Sequence, residues 1–516
     1  TPNASSFSGR PAKAVGLVRG RVWDLQSAAR ISALPRFASP TIFLIALPLL
    51  WLRFGHWFYL SLDEGIYLAG ARRVADGQVP YRDFFNITGP GSFWLYSTVF
   101  RVFGITFAAA RAVLCLELAA LCAISCWLVS RVAGAAIGIA SSLLLLAMLL
   151  TTSYPVYVTH RWDSQVAALA ALACVVTGGK RWFAIGGVLA GCAAWITPPM
   201  VLVSVPLALY CGPGRRWFLA GAGIPTVAAI SVLIYQGAFT GMVQSLIWDA
   251  ANYAAANRLP YGALAGTWES FRRQGSVGTA LVRYADSVLP VLLPPLAAIA
   301  ILAFKQSRAL LGAVALAALL ACLPRVGAAQ LLFASAFFWT ICWCGAGNLL
   351  PRRSQPWVAT GVLLVALLAG FAGWPRSELR RIDTPVGTLA VSRLHFVILN
   401  DLLSTIRPGE NVFVYPYLPA LYFVLGAQNP TRYAWLQPGM MGSREVQSAI
   451  ADLRAKPPHR VIWHDLSEAF VLKNWPSSDR TRLRFPEMET FLQANYHVIN
   501  PDGVIPTGFR LLEKNP

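Results

Sequence analysis

The chain has 516 residues, of which 56% are hydrophobic and 13% charged, whereas soluble chains carry about 25% charged residues. Its formal net charge is +20, but the basic residues form short clusters between apolar runs: Arg10 to Arg36, Lys180 with Arg181, Arg215 with Arg216, Lys305 to Arg308, and Arg352 with Arg353. That is the positive-inside pattern of a membrane protein, and it argues against a nucleic-acid partner.

Of the 23 acidic residues, ten precede Glu378 and thirteen crowd into the last 139 positions, so two environments share one chain. We read a basic cytoplasmic segment over 1–38, a membrane bundle over 39–374 and a soluble extracytoplasmic domain over 375–516. The bundle includes a first external loop, 61–105, and a second over 236–286. All nine Cys, from Cys115 to Cys344, lie in or beside apolar runs, which makes them small buried residues rather than disulfide partners or metal ligands.

In chain order, Pro40 to Tyr59 is an uncleaved first span, since the preceding residues hold no signal-like apolar run. Gly91 to Phe103 is short for a crossing, carries Arg101 and is bounded by Pro90 and Gly104, so it lies at the outer interface. The runs 107–130, 133–150, 164–177, 183–197, 200–209, 219–235, 288–304, 310–323, 331–344 and 358–373 then alternate in direction, with an outer turn at Pro198 and Pro199. This predicts a polytopic α-helical membrane protein of about eleven transmembrane helices, most of them near the length that about 30 Å of hydrocarbon requires. Lys180, Arg215, Lys305 and Arg352 fall inside, and Asp63, Asp163, Arg325 and Tyr415 outside.

The tail has a different grammar. Helices are expected at Leu394 to Ile406, Glu445 to Arg454 and Pro486 to Ala494, and strands at Asn411 to Tyr415, Arg460 to Trp463 and Phe509 to Leu512, the pattern of a small α/β domain.

Polar residues with candidate chemistry gather at the outer ends of the spans. Ser61 and Glu64 fit a capping box with Asp63 in its first turn, while Asp63 beside the membrane also suits a general base. Tyr81 and Arg82 belong to a polar-aromatic loop, either a head-group belt with Arg82 paired to Asp83 or the wall of a pocket. At the next boundary Asp163 requires a partner or water, and Arg161 is a candidate. Arg258 and Arg325 read either as phosphate contacts or as snorkelling side chains. Glu117, deep in a span, reads as a structural acid paired inside the bundle, with Arg111 nearby in sequence. No zinc-ligand spacing, P-loop or dinucleotide fingerprint occurs; no cofactor is implied, and a divalent metal has no support.

The run Leu62-Asp-Glu-Gly-Ile-Tyr67, followed by Asp76-Gly-Gln-Val-Pro-Tyr-Arg-Asp-Phe-Phe85, Gly89-Pro90 and Phe103-Gly104, resembles the first external loop of the GT-C glycosyltransferases. The nearest likeness is to the bacterial protein mannosyltransferase and aminoarabinose transferase group. Val412-Phe-Val-Tyr-Pro416, Leu421-Tyr-Phe423 and Asn429-Pro-Thr-Arg432 resemble their soluble tail. The resemblance implies a polyprenyl-phosphate sugar as donor, membrane lipid as a partner, an unspecified glycan, lipid or protein as acceptor, and a bacterial inner membrane location. It makes Asp63 the leading catalytic candidate, with Glu64 and Asp163 as further acids, and Arg325 the best phosphate contact beside Arg258, Arg161, Tyr81 and Arg82. A multi-span transporter or an envelope docking protein are the rival classes.

Overall fold

A computed structural model describes residues 37–152, 154–264, 266–273, 276–304, 308–374, 378–499 and 508–516. The N-terminal basic segment up to 36, and Lys305, lie outside the described residues.

Every expected span falls on a helix. Among the described residues five helices are long and apolar enough to cross a membrane alone: Phe107–Ala133, Gly212–Tyr235, Val277–Ile301, Ala328–Leu349 and Arg352–Gly373. Four apolar helices are shorter, Ala38–Phe54, Ala135–Thr151, Pro198–Tyr210 and Arg308–Leu320, and His160–Thr177 and Lys180–Ile196 complete the bundle. The chain is thus a polytopic α-helical membrane protein with a small C-terminal domain that contains β-sheet.

Small residues set the helix packing, as expected where lipid removes the hydrophobic drive between helices. A Cβ on Gly187 would lie 1.9 Å from the Phe218 carbonyl, and one on Gly221 would lie 2.0 Å from that of Ala184. Lys180–Ile196 and Arg215–Tyr235 therefore meet backbone to backbone. Their contacts advance together, Gly187 to Phe218, Gly191 to Ala222 and Trp195 to Thr226, so the two helices run parallel. The Val201–Tyr210 helix between them returns the chain after the Pro198–Met200 turn. The same reading makes Ala135–Thr151 parallel to Gln355–Gly373, since Gly134 approaches Gln355 at one end and Gly373 approaches Thr151 at the other.

The first external loop forms two helices, Leu62–Ala75 and Gly91–Phe103. The second buries Ser92, Phe93, Tyr96, Ser97 and Phe100 on one face and leaves Val102 and Phe103 exposed at its end. The described part of 236–286, expected as a second external loop, is largely helical. Phe239–Trp248 is an amphipathic helix continued by a π-helical stretch, Asp249–Tyr253, and the next long helix starts at Val277, eleven residues before the apolar run begins. Asp286 is hidden there because it accepts a hydrogen bond from Thr151.

In the C-terminal domain a four-stranded sheet runs in the order β3-β4-β6-β5. It comprises β3 (Val412–Tyr415), β4 (Arg460–His464), β5 (Tyr496–Val498) and β6 (Phe509–Lys514), with β3 and β4 parallel and the other pairings antiparallel. The helices Arg393–Thr405, Ser443–Ala455 and Pro486–Asn495 lie where expected, the last opened by its proline. A separate hairpin of β1 (Arg380–Thr384) and β2 (Gly387–Val391) had no sequence signal that was read.

The domain is clamped to the first external loop. A Cβ on Gly65 would come 2.1 Å from the Ala420 amide nitrogen, so only glycine allows this approach. Arg72 donates to the Tyr422 and Gly426 carbonyls, Arg73 donates to that of Thr431, and the Phe85 amide donates to the Arg432 carbonyl.

Candidate active site

The Leu62–Ala75 helix presents its two adjacent acids in different directions, as successive helical residues must, about 100° apart. Asp63 accepts a hydrogen bond from the Tyr157 hydroxyl at 2.8 Å and keeps partial exposure. Glu64 turns into the bundle, where it meets Arg111 at 2.9 Å with both side chains fully buried. It also accepts from the Val158 amide, and Arg111 donates to the Val156 carbonyl. Burial pushes the Glu64 carboxyl up, and the Arg111 charge with these hydrogen bonds opposes the shift.

This corrects two expectations. Ser61 occupies the N-cap position but makes no side-chain cap hydrogen bond, so there is no capping box. A carboxylate buried beside a guanidinium gains more from charge-assisted bonds than from one capping contact. Arg111, placed near Glu117 by sequence, belongs instead to Glu64.

Arg161 does not pair with Asp163. Residues two apart on a helix do not face each other, and here they serve separate groups. Asp163, 2% exposed, accepts from the Ser92 hydroxyl and from Tyr96 at 3.2 Å, and the Glu117 carboxyl lies beside it. It thus pins the Gly91–Phe103 helix to the bundle. Arg161 faces the other way, its guanidinium 5.9 Å from the Phe333 ring, in a field shared with Asp63, Tyr67 and Tyr253. Among the described residues it has no carboxylate within 4.0 Å. His160 bonds Thr197 at 2.7 Å and sits 5.2 Å from the Tyr67 ring, a structural position.

Arg325 shares the same field, interacting with Tyr253 and Tyr417, which in turn sense Asp63. Its side chain donates to Asn257 and to the Asn474 carbonyl and, among the described residues, has no carboxylate within 4.0 Å. Three other candidates fall elsewhere. Tyr81 is buried at φ 68°, its hydroxyl bonded to the Thr88 carbonyl. Arg82 is exposed, paired with Asp83 at 2.8 Å and bonded to the Gln236 carbonyl. The Arg258 side chain is also exposed. The first two shape the loop rather than the cluster.

The residues that sequence reading missed are tyrosines. Tyr157 precedes the expected span, Tyr253 is delivered by the π-helical stretch, a geometry frequent at functional sites, and Tyr417 follows β3. Each stands beside a motif that was read, but a lone tyrosine near an interface carries no signal above the aromatic belt. Nearby, burial pushes the Asp249 carboxyl up to about 6. Among the described residues no group of three His, Cys, Asp or Glu side chains comes together to hold a metal ion. A cleft of about 790 Å³ opens at the seam between the Leu62–Ala75 helix and the C-terminal domain, but it is lined by Arg72, Arg73, Asn429 and Asp452, not by the Asp63 cluster.

Solved structures share this architecture. ArnT from Cupriavidus metallidurans bound to undecaprenyl phosphate is 13% identical, with 92% of this chain and 98% of that one covered and a TM-score of 0.53. The two chains share a fold. The apo state of the same protein gives a TM-score of 0.54 at 13% identity, covering 92% of this chain and 97% of that one. The Archaeoglobus fulgidus oligosaccharyltransferase tethered with an acceptor peptide gives 0.50 at 10% identity, covering 92% and 74%. No family model matches the chain, and no curated protein matches it in sequence.

Proposed function

We propose that this chain is a membrane glycosyltransferase that moves a sugar from a polyprenyl-phosphate donor to an acceptor hydroxyl outside the cytoplasm. The observation that carries the reading is the half-buried Arg161 guanidinium, which has no carboxylate within 4.0 Å among the described residues and lies in the field of Asp63. A cation partly withdrawn from water without a partner leaves room for an anion to complete the site. The fold shared with a protein solved with undecaprenyl phosphate supports that anion being a lipid phosphate.

Asp63 takes the proton of the acceptor hydroxyl as its oxygen forms a bond to the anomeric carbon. The bond from that carbon to the phosphate oxygen breaks, and the electron pair leaves with the polyprenyl phosphate, whose charge Arg161 and Arg325 stabilise. The activated bond of the donor supplies the driving force. Attack from the face opposite the phosphate inverts the anomeric centre.

The same proposal includes eleven crossings, a bacterial inner membrane, a cytoplasmic N-terminus, and an extracytoplasmic domain over 375–516 that holds the roof over the site rather than the catalyst. The purified chain in nanodiscs, given a polyprenyl-phosphate sugar and a deacylated envelope glycan, should release polyprenyl phosphate and glycosylate the glycan. Transport of the intact donor across the bilayer without bond cleavage would reject the reading in favour of a transporter.

A further inference from the structure

The last long helix ends at Gly373, and the chain passes within a few residues into β1. The β1–β2 hairpin is sewn to the exit of the first span, since the Phe58 amide donates to the Ala390 carbonyl and the Ala390 amide donates to that of His56. It also reaches the start of Phe107–Ala133, where the Phe107 amide donates to the Val386 carbonyl. The hairpin is thus fastened at the level where three helices of the bundle leave or enter the bilayer.

The Arg393–Thr405 helix packs on this hairpin. Its inner face buries Ile398, Leu399 and Leu402, yet its first two turns expose Leu394 at 48% and Val397 at 38%. Leu379 on the approach to β1 is 39% exposed, Trp374 is 36% exposed, and Tyr59, beyond the first span, is 42% exposed with its ring 5.4 Å from that of His395. Arg380, Arg381 and Arg393 are exposed on the same hairpin and helix start, Arg380 and Arg381 on opposite faces of β1, and Arg380 stands 5.5 Å from the Phe396 ring. None of the three has a carboxylate within 4.0 Å among the described residues. Apolar side chains flanked in the chain by unpaired arginines are the composition of an interfacial helix rather than of a water-facing one.

We infer that the β1–β2 hairpin and the N-terminal half of the Arg393–Thr405 helix form a monotopic membrane anchor that beds Leu379, Leu394 and Val397 in the outer interface and binds anionic phospholipid head groups through Arg380, Arg381 and Arg393. Continuity with the spans selects the lipid surface as occupant, and the arginines select its charge. Because the domain is also clamped to the Leu62–Ala75 helix, the anchor fixes that helix relative to the bilayer. The inference concerns lipid contact alone and stands whether or not the chain transfers sugar.

The test uses the full chain in nanodiscs with an environment-sensitive fluorophore on Leu394→Cys or Val397→Cys, corrected for labelling of the native cysteines. Lipids with a nitroxide at the head group or high on the acyl chain should quench both positions, with stronger head-group quenching in phosphatidylglycerol-containing discs than in phosphatidylcholine discs. R380Q/R381Q/R393Q should abolish the difference between the two compositions while folding, read by melting, is kept. Emission at both positions unchanged by the quencher lipids would overturn the anchor. Equal quenching in both compositions, or a difference that survives the triple substitution, would overturn the head-group recognition.

Discussion

Two carboxylates stand at the N-terminal ends of helices on the same side of this bundle, and the protein uses them in opposite ways. Asp63 keeps partial exposure, one tyrosine hydroxyl as partner, and an arginine across from it. Asp163 is enclosed by Ser92, Tyr96 and Glu117. A group that must take a proton from a substrate needs free lone pairs and access, and Asp63 has both. Asp163 has spent its hydrogen-bonding capacity on holding the Gly91–Phe103 helix. Position at a helix start is therefore a poor guide to chemistry, and the partners decide.

That contrast can be broken by substitution, and the expected effects fall in a definite order. Asp63→Asn should lower turnover by about 100 to 10,000-fold, the range for loss of general-base assistance, with little change in melting. Arg161→Gln should lower turnover on the lipid-phosphate donor by roughly 100-fold, as for loss of one preorganised group facing developing charge, again with folding kept. Glu64→Ala strands the buried Arg111 and should appear in stability instead, on the order of 3–5 kcal/mol, measured by unfolding in detergent. Tyr157→Phe removes one hydrogen bond to a charged group and should cost roughly tenfold in turnover at an unchanged melting temperature, about 1.4 kcal/mol.

Much of this was legible in the chain. The positions of the spans follow from apolar runs and basic clusters, and the tail helices from their 3.6-residue period. Asp63, Arg161 and Arg325 stand out in the sequence as polar residues at the outer ends of spans. What sequence did not carry was direction. Glu64 was read as a cap because Ser61 lies three residues before it, but the side chain found a guanidinium 47 positions away. Closeness in sequence makes Arg161 a candidate partner for Asp163, although helical geometry points them apart. The polarity of 236–286 marks a second external loop but gives no sign of the helices within it, whose ends, such as Asp286, find partners in the bundle. Long-range pairing of buried polar groups is a tertiary property, and one sequence holds no record of it.

The central claim is that Asp63 takes the proton while Asp163 only holds the frame. The most direct measurement is single-turnover transfer by purified Asp63→Asn and Asp163→Asn in nanodiscs, with a polyprenyl-phosphate sugar loaded to saturation and donor binding and melting recorded on the same samples. The account predicts that Asp63→Asn binds donor and melts like the wild type but loses transfer, whereas Asp163→Asn, which keeps the shape and most hydrogen bonds of the side chain, transfers within about tenfold of the wild-type rate. Wild-type transfer by Asp63→Asn, or loss of transfer by a folded and donor-loaded Asp163→Asn, would contradict it.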